Sequence, residues 1–265
     1  MNETAASELE AYDRMTHAAY RIFAECGGGT VTEAEGLMFA SGPHPKAYIV
    51  NAAFRTEPGL VGAEVLDRTR AHYEPRAFEY AVNATTHADA DINAAAAEAG
   101  WQKVLTLPAM VVRHRLGEGA PPTGSALRRA DPKDDRARFG DIVAACFADQ
   151  AEEADAYRLL FDHPALLAGP GMSAFIASVD GEDAAIALSI VVDRAATVGW
   201  VGTLERFRRR GLGDLVTRAA TNAAFDQGAQ LVTLQASPLG EPVYAAMGYE
   251  TISTETIWAP PSAAT

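Results

Sequence analysis

The chain reads as a mixed α/β protein (an α+β mixed sheet) made of two similar halves, and three observations point there. In the second half, segments with strand-like apolar patterns alternate with segments of helical period. A Gly/Pro-rich stretch without periodicity, Gly117–Ser125 (GEGAPPTGS), lies near the middle and divides the chain into units 1–118 and 119–265. Ala97–Met110 (AEAGWQKVLTLPAM) aligns without gaps with Ala245–Trp258 (AAMGYETISTETIW) at an offset of 148 residues, with Gly100-Trp101 on Gly248-Tyr249. A helix, a glycine, an aromatic and a strand in both places predict a duplicated fold.

The elements of the second half follow in order. Phe139–Gln150 is a helix with Phe139, Ile142, Val143, Cys146 and Phe147 on one face, and Ala154–Leu167 is a second, interrupted at His163-Pro164. Ser173–Val179 and Ala184–Val192 are strands around Asp180-Gly181-Glu182-Asp183, and Val198–Leu204 is a third. Gly211–Gln227 carries a helical stripe at Leu212, Leu215, Val216, Ala219, Ala220 and Ala223, and Gly228 stops it. Leu231–Gln235 is a buried-type strand, Pro242–Met247 a short helix opened by proline, and Thr251–Trp258 a closing strand. The first half repeats much of this order. It has a helix over Glu8–Cys26, strands over Gly36–Ser41 and Ala47–Arg55, and a helix over Gly62–Glu74. A strand over Phe78–Val82, a helix over Asp91–Ala99 and a strand over Trp101–Val112 complete it.

A length of 265 residues and 48% hydrophobic content suit a folded protein of one large or two ordinary domains. A net charge of -13 argues against nucleic-acid binding, since phosphates are repelled. The two cysteines, Cys26 and Cys146, make no disulfide framework, and no Cys/His spacing suits a metal. With no secretory signal in MNETAASELEAYDR and no long apolar run, the expectation is a cytoplasmic chain that does not enter a membrane.

The most informative stretch joins Val198–Leu204 to Arg208-Arg209-Arg210-Gly211-Leu212-Gly213. Glycines at a helix start let the chain turn and let a ligand approach the backbone. The first N–H groups have no partner inside the helix, and with the helix dipole they form an anion site that the arginines strengthen. The expectation is a pyrophosphate cradle built from the N–H groups of Arg209–Asp214, with Arg208 and Arg210 beside them. A solvated basic helix start and a dinucleotide-binding turn are the competing readings. The turn lacks the third glycine of the latter and the Gly-Lys-Ser/Thr of a P-loop.

These residues resemble the GNAT superfamily of N-acetyltransferases, whose signature Arg/Gln-x-x-Gly-x-Gly/Ala is matched by Arg208–Gly213. Gly199–Thr203 looks like the family strand whose main chain pairs with the pantetheine arm, and Ala236–Tyr249 matches a later family block. The resemblance covers about residues 135–260. It implies a GNAT fold in the C-terminal half and a degenerate GNAT-like repeat in the N-terminal half, whose turn Pro58-Gly59-Leu60-Val61-Gly62 lacks the arginines. It implies acetyl-CoA as co-substrate, an amine acceptor, no metal, and a monomer or homodimer. Binding falls to Val201, Gly202, Thr203, Arg208, Arg209, Arg210, Gly211, Leu212, Gly213, Asp214, Ser237 and Tyr244. Main-chain N–H groups at Val201 or Thr203 face the thioester oxygen. Tyr244 is the general acid for the departing thiolate, since a phenol near about 10 stays protonated.

Glu205, just past the strand, and Asp193, at the end of the preceding one, are the carboxylates for proton relay, each with a solvated-surface reading beside it. Ser237 serves the coenzyme or a turn at Ser237-Pro238. Trp200, Phe147, Tyr157 and Phe161 line the acceptor groove or the core, and His163 and His44, each before proline, belong to loops. The enzymatic reading is direct attack of a bound amine on acetyl-CoA. The alternative is a non-catalytic acyl-CoA-binding or sensor module.

Overall fold

The computed structural model describes residues 3–46 and 49–261. Among the described residues, eleven strands form one mixed sheet with seven α-helices. In the first half these are α1 (Glu3–Cys26), β1 (Thr30–Ala34), β2 (Leu37–Ser41), β3 (Ala52–Arg55), α2 (Gly62–Tyr73), β4 (Ala81–Thr85), α3 (Ala90–Glu98) and β5 (Gln102–Val112). In the second half they are β6 (Ser125–Arg129), α4 (Arg136–Phe147), α5 (Ala151–Asp162), β7 (Met172–Val179), β8 (Glu182–Val192), β9 (Ala195–Thr203), α6 (Leu212–Asp226), β10 (Leu231–Gln235), α7 (Glu241–Met247) and β11 (Glu250–Ala259).

The strand order is β1-β2-β3-β4-β11-β5-β10-β9-β8-β7-β6. It is nearly symmetric about its centre. The pairs β3–β4 and β9–β10 are parallel and every other pairing is antiparallel. The last strands of the halves change places: β11 lies beside β4 of the first half, and β5 beside β10 of the second. β5 and β11 pair with each other over most of their length, so the two copies of the sequence echo meet at the middle of the sheet. Both copies keep the same junction. Gly100 and Gly248 take φ of 71° and 102°, a left-handed turn open to glycine, and Trp101 and Tyr249 behind them are buried.

α1 spans the two halves. Its Tyr20 ring packs edge-on against Phe54 of β3 at 4.6 Å, and its Phe23 against Trp200 of β9 at 5.6 Å. The larger core joins α1, α4, α5, α6 and β7–β10, and a second core lies under α2 and α3.

Three expectations shift. The strands β1 and β6 were not anticipated; they are the two outer edges, exposed along almost their whole length, so they carry no apolar alternation. Ser125, placed at the end of the linker, opens β6. The strand expected over Ala47–Arg55 begins only at Ala52; Ala47 and Tyr48 lie outside the described residues. Asn51 explains the late start: its Oδ1 accepts from Gly42 N, and its Nδ2 donates to the carbonyls of His44, Pro45 and Glu79. Those bonds hold Gly42, His44 and Pro45 in a loop, and the neighbouring strand starts at Ala81, whose N–H bonds Asn51 O.

Candidate functional site

β9 and β10 run side by side from Ala195–Leu231 to Val198–Leu234 and then part. β10 ends at Gln235, while β9 continues through Gly199–Thr203, so the peptide groups on that side of β9 face a notch instead of a strand. On its other side β9 stays paired to β8 through a bulge. Leu188 pairs with Gly199 and Ile186 with Gly202, which leaves Trp200 and Val201 opposite Ala187. Trp200 sits at φ 52°, a conformation that costs a non-glycine residue on the order of 1–3 kcal/mol.

Its ring is held by four others, Phe23, Phe147, Tyr157 and Phe161, at centroid distances of 5.2 to 5.6 Å and nearly perpendicular. Each such contact contributes about 0.5–1.5 kcal/mol, enough to hold the strained residue. The bulge therefore sends Trp200 into the aromatic core under α1, α4 and α5. Tyr157 and Phe161 are buried there, and Trp200 and Phe147 are partly buried. Gly202 packs against α4: a Cβ there would meet Cys146 Sγ at 3.0 Å. Burial pushes the Cys146 thiol up to about 11.

Beyond Thr203 a 3₁₀ turn, Glu205–Phe207, leads to the basic loop. Arg208 Nε donates to Thr203 O at 3.2 Å, and the guanidinium groups of Arg206 and Arg210 lie 4.9 and 5.4 Å from the Phe207 ring centre. Arg209 and Gly211 both adopt left-handed φ, 63° and 81°. Gly211 is the N-cap of α6, with no side-chain cap, and the first helical bond runs from Leu215 N to Gly211 O. The N–H groups of Leu212, Gly213 and Asp214 are thus unspent, at the positive end of a 15-residue helix with three exposed arginines just before it. Gly213 abuts the end of β9: its Cβ position lies 3.7 Å from Thr203 Oγ1. Asp214 contributes its backbone only, because its carboxylate takes two bonds from Arg218, at 2.7 and 3.0 Å. Arg218 also donates to Gly117 O, tying the linker to α6.

Tyr244 of α7 is buried, and its hydroxyl has no hydrogen-bond partner among the described residues. Burial alone pushes its phenol up to about 12. Its ring folds over Gly240, where a Cβ would come within 2.6 Å of Cε2. Ser237 is exposed, and its Oγ and its carbonyl both accept from Gly240 N in the turn before α7. Glu205 is exposed at the mouth of the basic loop, its carbonyl accepting from Arg208 N. Asp193 lies in the β8–β9 turn, at the opposite end of β9 from the notch, so the fold does not bring it to the basic turn. His163 ends α5 and His44 lies in the loop that Asn51 pins.

The first half has a counterpart that sequence reading left almost empty. β3 and β4 pair only over Ala52–Ala81 and Ala53–Val82 and then part as β9 and β10 do. Arg55 occupies the region: it donates to Leu60 O and Ala88 O and pairs with Asp89 and Asp91, each at 2.9 Å. The start of α2 is closed by α3, since a Cβ on Gly62 would stand 2.4 Å from Asp91 O. Among the described residues no group of three or more His, Cys, Asp or Glu is placed to hold a metal ion, and no helix is long and apolar enough to cross a membrane.

No family model matches the chain, and no curated protein matches it. Solved structures do. A GCN5-related N-acetyltransferase from Kribbella flavida is 22% identical, covers 98% of this chain and 95% of its own, and superposes with a TM-score of 0.69. A GCN5-related N-acetyltransferase from Sphaerobacter thermophilus is 12% identical over 92% of both chains, with a TM-score of 0.62. A tandem GNAT protein from the clavulanic acid biosynthesis pathway is 18% identical over 86% of this chain and 78% of its own, at 0.58. With matches over nearly its whole length and a sheet that repeats one topology on either side of its centre, the chain has the fold of the GCN5-related N-acetyltransferases, the GNAT fold.

Proposed function

We propose that the unit 119–265 is an acyltransferase that takes acetyl from acetyl-CoA and passes it to a primary amine, and that the unit 1–118 holds no coenzyme. The observation that carries this reading is the notch beside Gly199–Thr203 opening at the uncapped, arginine-flanked start of α6. An extended amide arm can pair with the free edge of a strand, and a diphosphate suits a helix start with unspent N–H groups.

When bound, acetyl-CoA supplies an activated acetyl thioester. The chain's own residues do the rest. Val201, Gly202 and Thr203 hold the arm by main-chain bonds, and a main-chain N–H of Val201 or Thr203 meets charge developing on the thioester oxygen. The N–H groups of Arg209–Asp214, with Arg208 and Arg210, hold the phosphates. Ser237 fixes the turn that presents α7. Glu205 takes the ammonium proton through solvent, which the reaction needs because a free alkylamine has a pKa near about 10.4.

Tyr244 donates to the departing sulfur. A phenol near 12 facing a thiol near about 8.5 makes full transfer to a formed thiolate uphill by about 5 kcal/mol, so its main service is a hydrogen bond that stabilises the leaving sulfur.

Calorimetric titration with acetyl-CoA, followed by an amine panel with thiol detection, tests the reading. Saturable binding and thiol release with an amine are expected. Binding without release from any amine leaves the acyl-CoA-binding module, and no binding removes the cradle.

A further inference from the structure

Away from the notch, a cavity of about 450 Å³ opens in the N-terminal half between α1, the end of β3 with the turn after it, and the end of β4. Its floor includes Tyr12, Asn83 and Glu255, all buried. Glu255, 1% exposed, accepts from Tyr12 OH at 2.5 Å, Asn83 Nδ2 at 2.7 Å and Gln235 Nε2 at 2.6 Å. Among the described residues no Lys, Arg or His pairs with it, and burial holds its pKa above the ordinary carboxyl value.

Asn83 is 4% exposed, and its Oδ1 is buried without a partner. Such an acceptor costs about 1–3 kcal/mol unless a donor reaches it. The carboxylate Asp13 lies in the cavity wall, its Oδ2 held by His87 Nε2 at 3.0 Å. Asp89 is there too, and Glu10 and Glu57 are exposed at the mouth. Five carboxyl groups thus line the cavity against two arginines, and Arg55 is already committed to Asp89 and Asp91. The third basic side chain, His17, is driven toward its neutral form by burial.

We propose that this cavity binds a small organic cation through a primary ammonium group, at a site separate from the Arg208–Gly213 cradle. An ammonium brings three donors and no acceptor. Here it finds one orphan carbonyl oxygen, the Asp13 carboxylate and a buried carboxyl with no counter-charge. The recess offers a single orphan acceptor rather than two side by side, which suits a compact point charge better than a planar guanidinium. An ammonium beside Glu255 favours the charged form, so below its raised pKa binding releases the Glu255 proton to solvent.

The probe is putrescine, with butane-1,4-diol as its neutral counterpart, titrated into the full chain in buffers of different ionisation enthalpy. Putrescine saturates, raises the melting temperature and gives a heat that depends on the buffer; the diol does none of these. E255Q, which keeps a neutral group able to hydrogen-bond, weakens putrescine at least about tenfold and removes the buffer dependence. D13N, on a partly exposed wall residue, weakens it by about three- to tenfold. Gly211→Val leaves putrescine affinity unchanged, which separates this site from the coenzyme reading. Absence of saturation, equal binding of the diol, or wild-type affinity in both E255Q and D13N overturns the proposal.

Discussion

After leaving β10, β9 runs on for five residues, Gly199–Thr203; after leaving β4, β3 runs on for two, Phe54 and Arg55. The helix that follows is uncapped and open in the second half, and in the first it is shut against the start of α3. Both regions carry arginine. In the second half Arg208, Arg209 and Arg210 are exposed around unspent N–H groups; in the first, Arg55 is folded inward and neutralised by Asp89 and Asp91. Under the proposed coenzyme reading, one topology serves as an anion receptor in the second half and as an internal brace in the first. In the first half the strand edge is shorter, the cation points inward, and two carboxylates take up its charge.

Four experiments break or sharpen this contrast, from the largest expected effect down. Gly211→Val places a β-branched side chain at φ 81°, at the mouth of the proposed cradle; acetyl-CoA affinity falls by at least about 100-fold in calorimetry while circular dichroism stays native. Wild-type affinity in that variant would sink the cradle. Tyr244→Phe lowers turnover by about 10- to 10³-fold with coenzyme affinity kept. Because its phenol stands near 12, Tyr244 adds no alkaline limb to kcat below about pH 10 in the parent enzyme, and an alkaline limb near neutrality that Y244F abolishes would contradict this account.

Arg55→Ala strands two carboxylates and two carbonyls, and costs about 2–4 kcal/mol in urea unfolding without changing acetyl-CoA affinity. An equal loss of coenzyme binding would mean that the first half does more than brace.

The smallest effect is a pH slope. Folded Glu255 keeps its proton above 4.5 while the unfolded chain releases it there, so its contribution to stability falls as pH rises from about 4.5 toward the raised folded value. E255Q removes that fall, and its unfolding free energy relative to the parent rises with pH across the same window, by at most about 1.4 kcal/mol per pH unit. A pH-independent difference would show that Glu255 is ionised in the fold.

The glycine turn and the helix after it were legible because their signals are local: Arg208–Gly213 and the stripe of α6 lie within one short run of sequence. The echo at 148 residues likewise marked the two strands that meet at the sheet centre. What stayed hidden depends on long-range neighbours. The edge strands β1 and β6 have no buried face to impose a pattern. The inward turn of Trp200 follows from a bulge in the pairing with β8, and no residue beside it announces a positive φ. Arg55 meets partners 34 and 36 positions away, and Glu255 is held by side chains 243, 172 and 20 positions distant, so neither cluster leaves a spacing to read.

The exchange of β5 and β11 has a consequence for how the chain is made. The gap between β4 and β5 is filled by β11, which follows the other ten strands of the sheet in chain order, so the first half cannot close its sheet until β11 has been made. Until then the five-residue β4 and the 11-residue β5 each expose an unpaired edge, the state in which chains of this size aggregate or trade segments with other copies. Assembly therefore ends at the centre of the molecule, through contacts of the greatest sequence separation, and a chain cut before Glu250 is expected to leave the first half unable to finish folding.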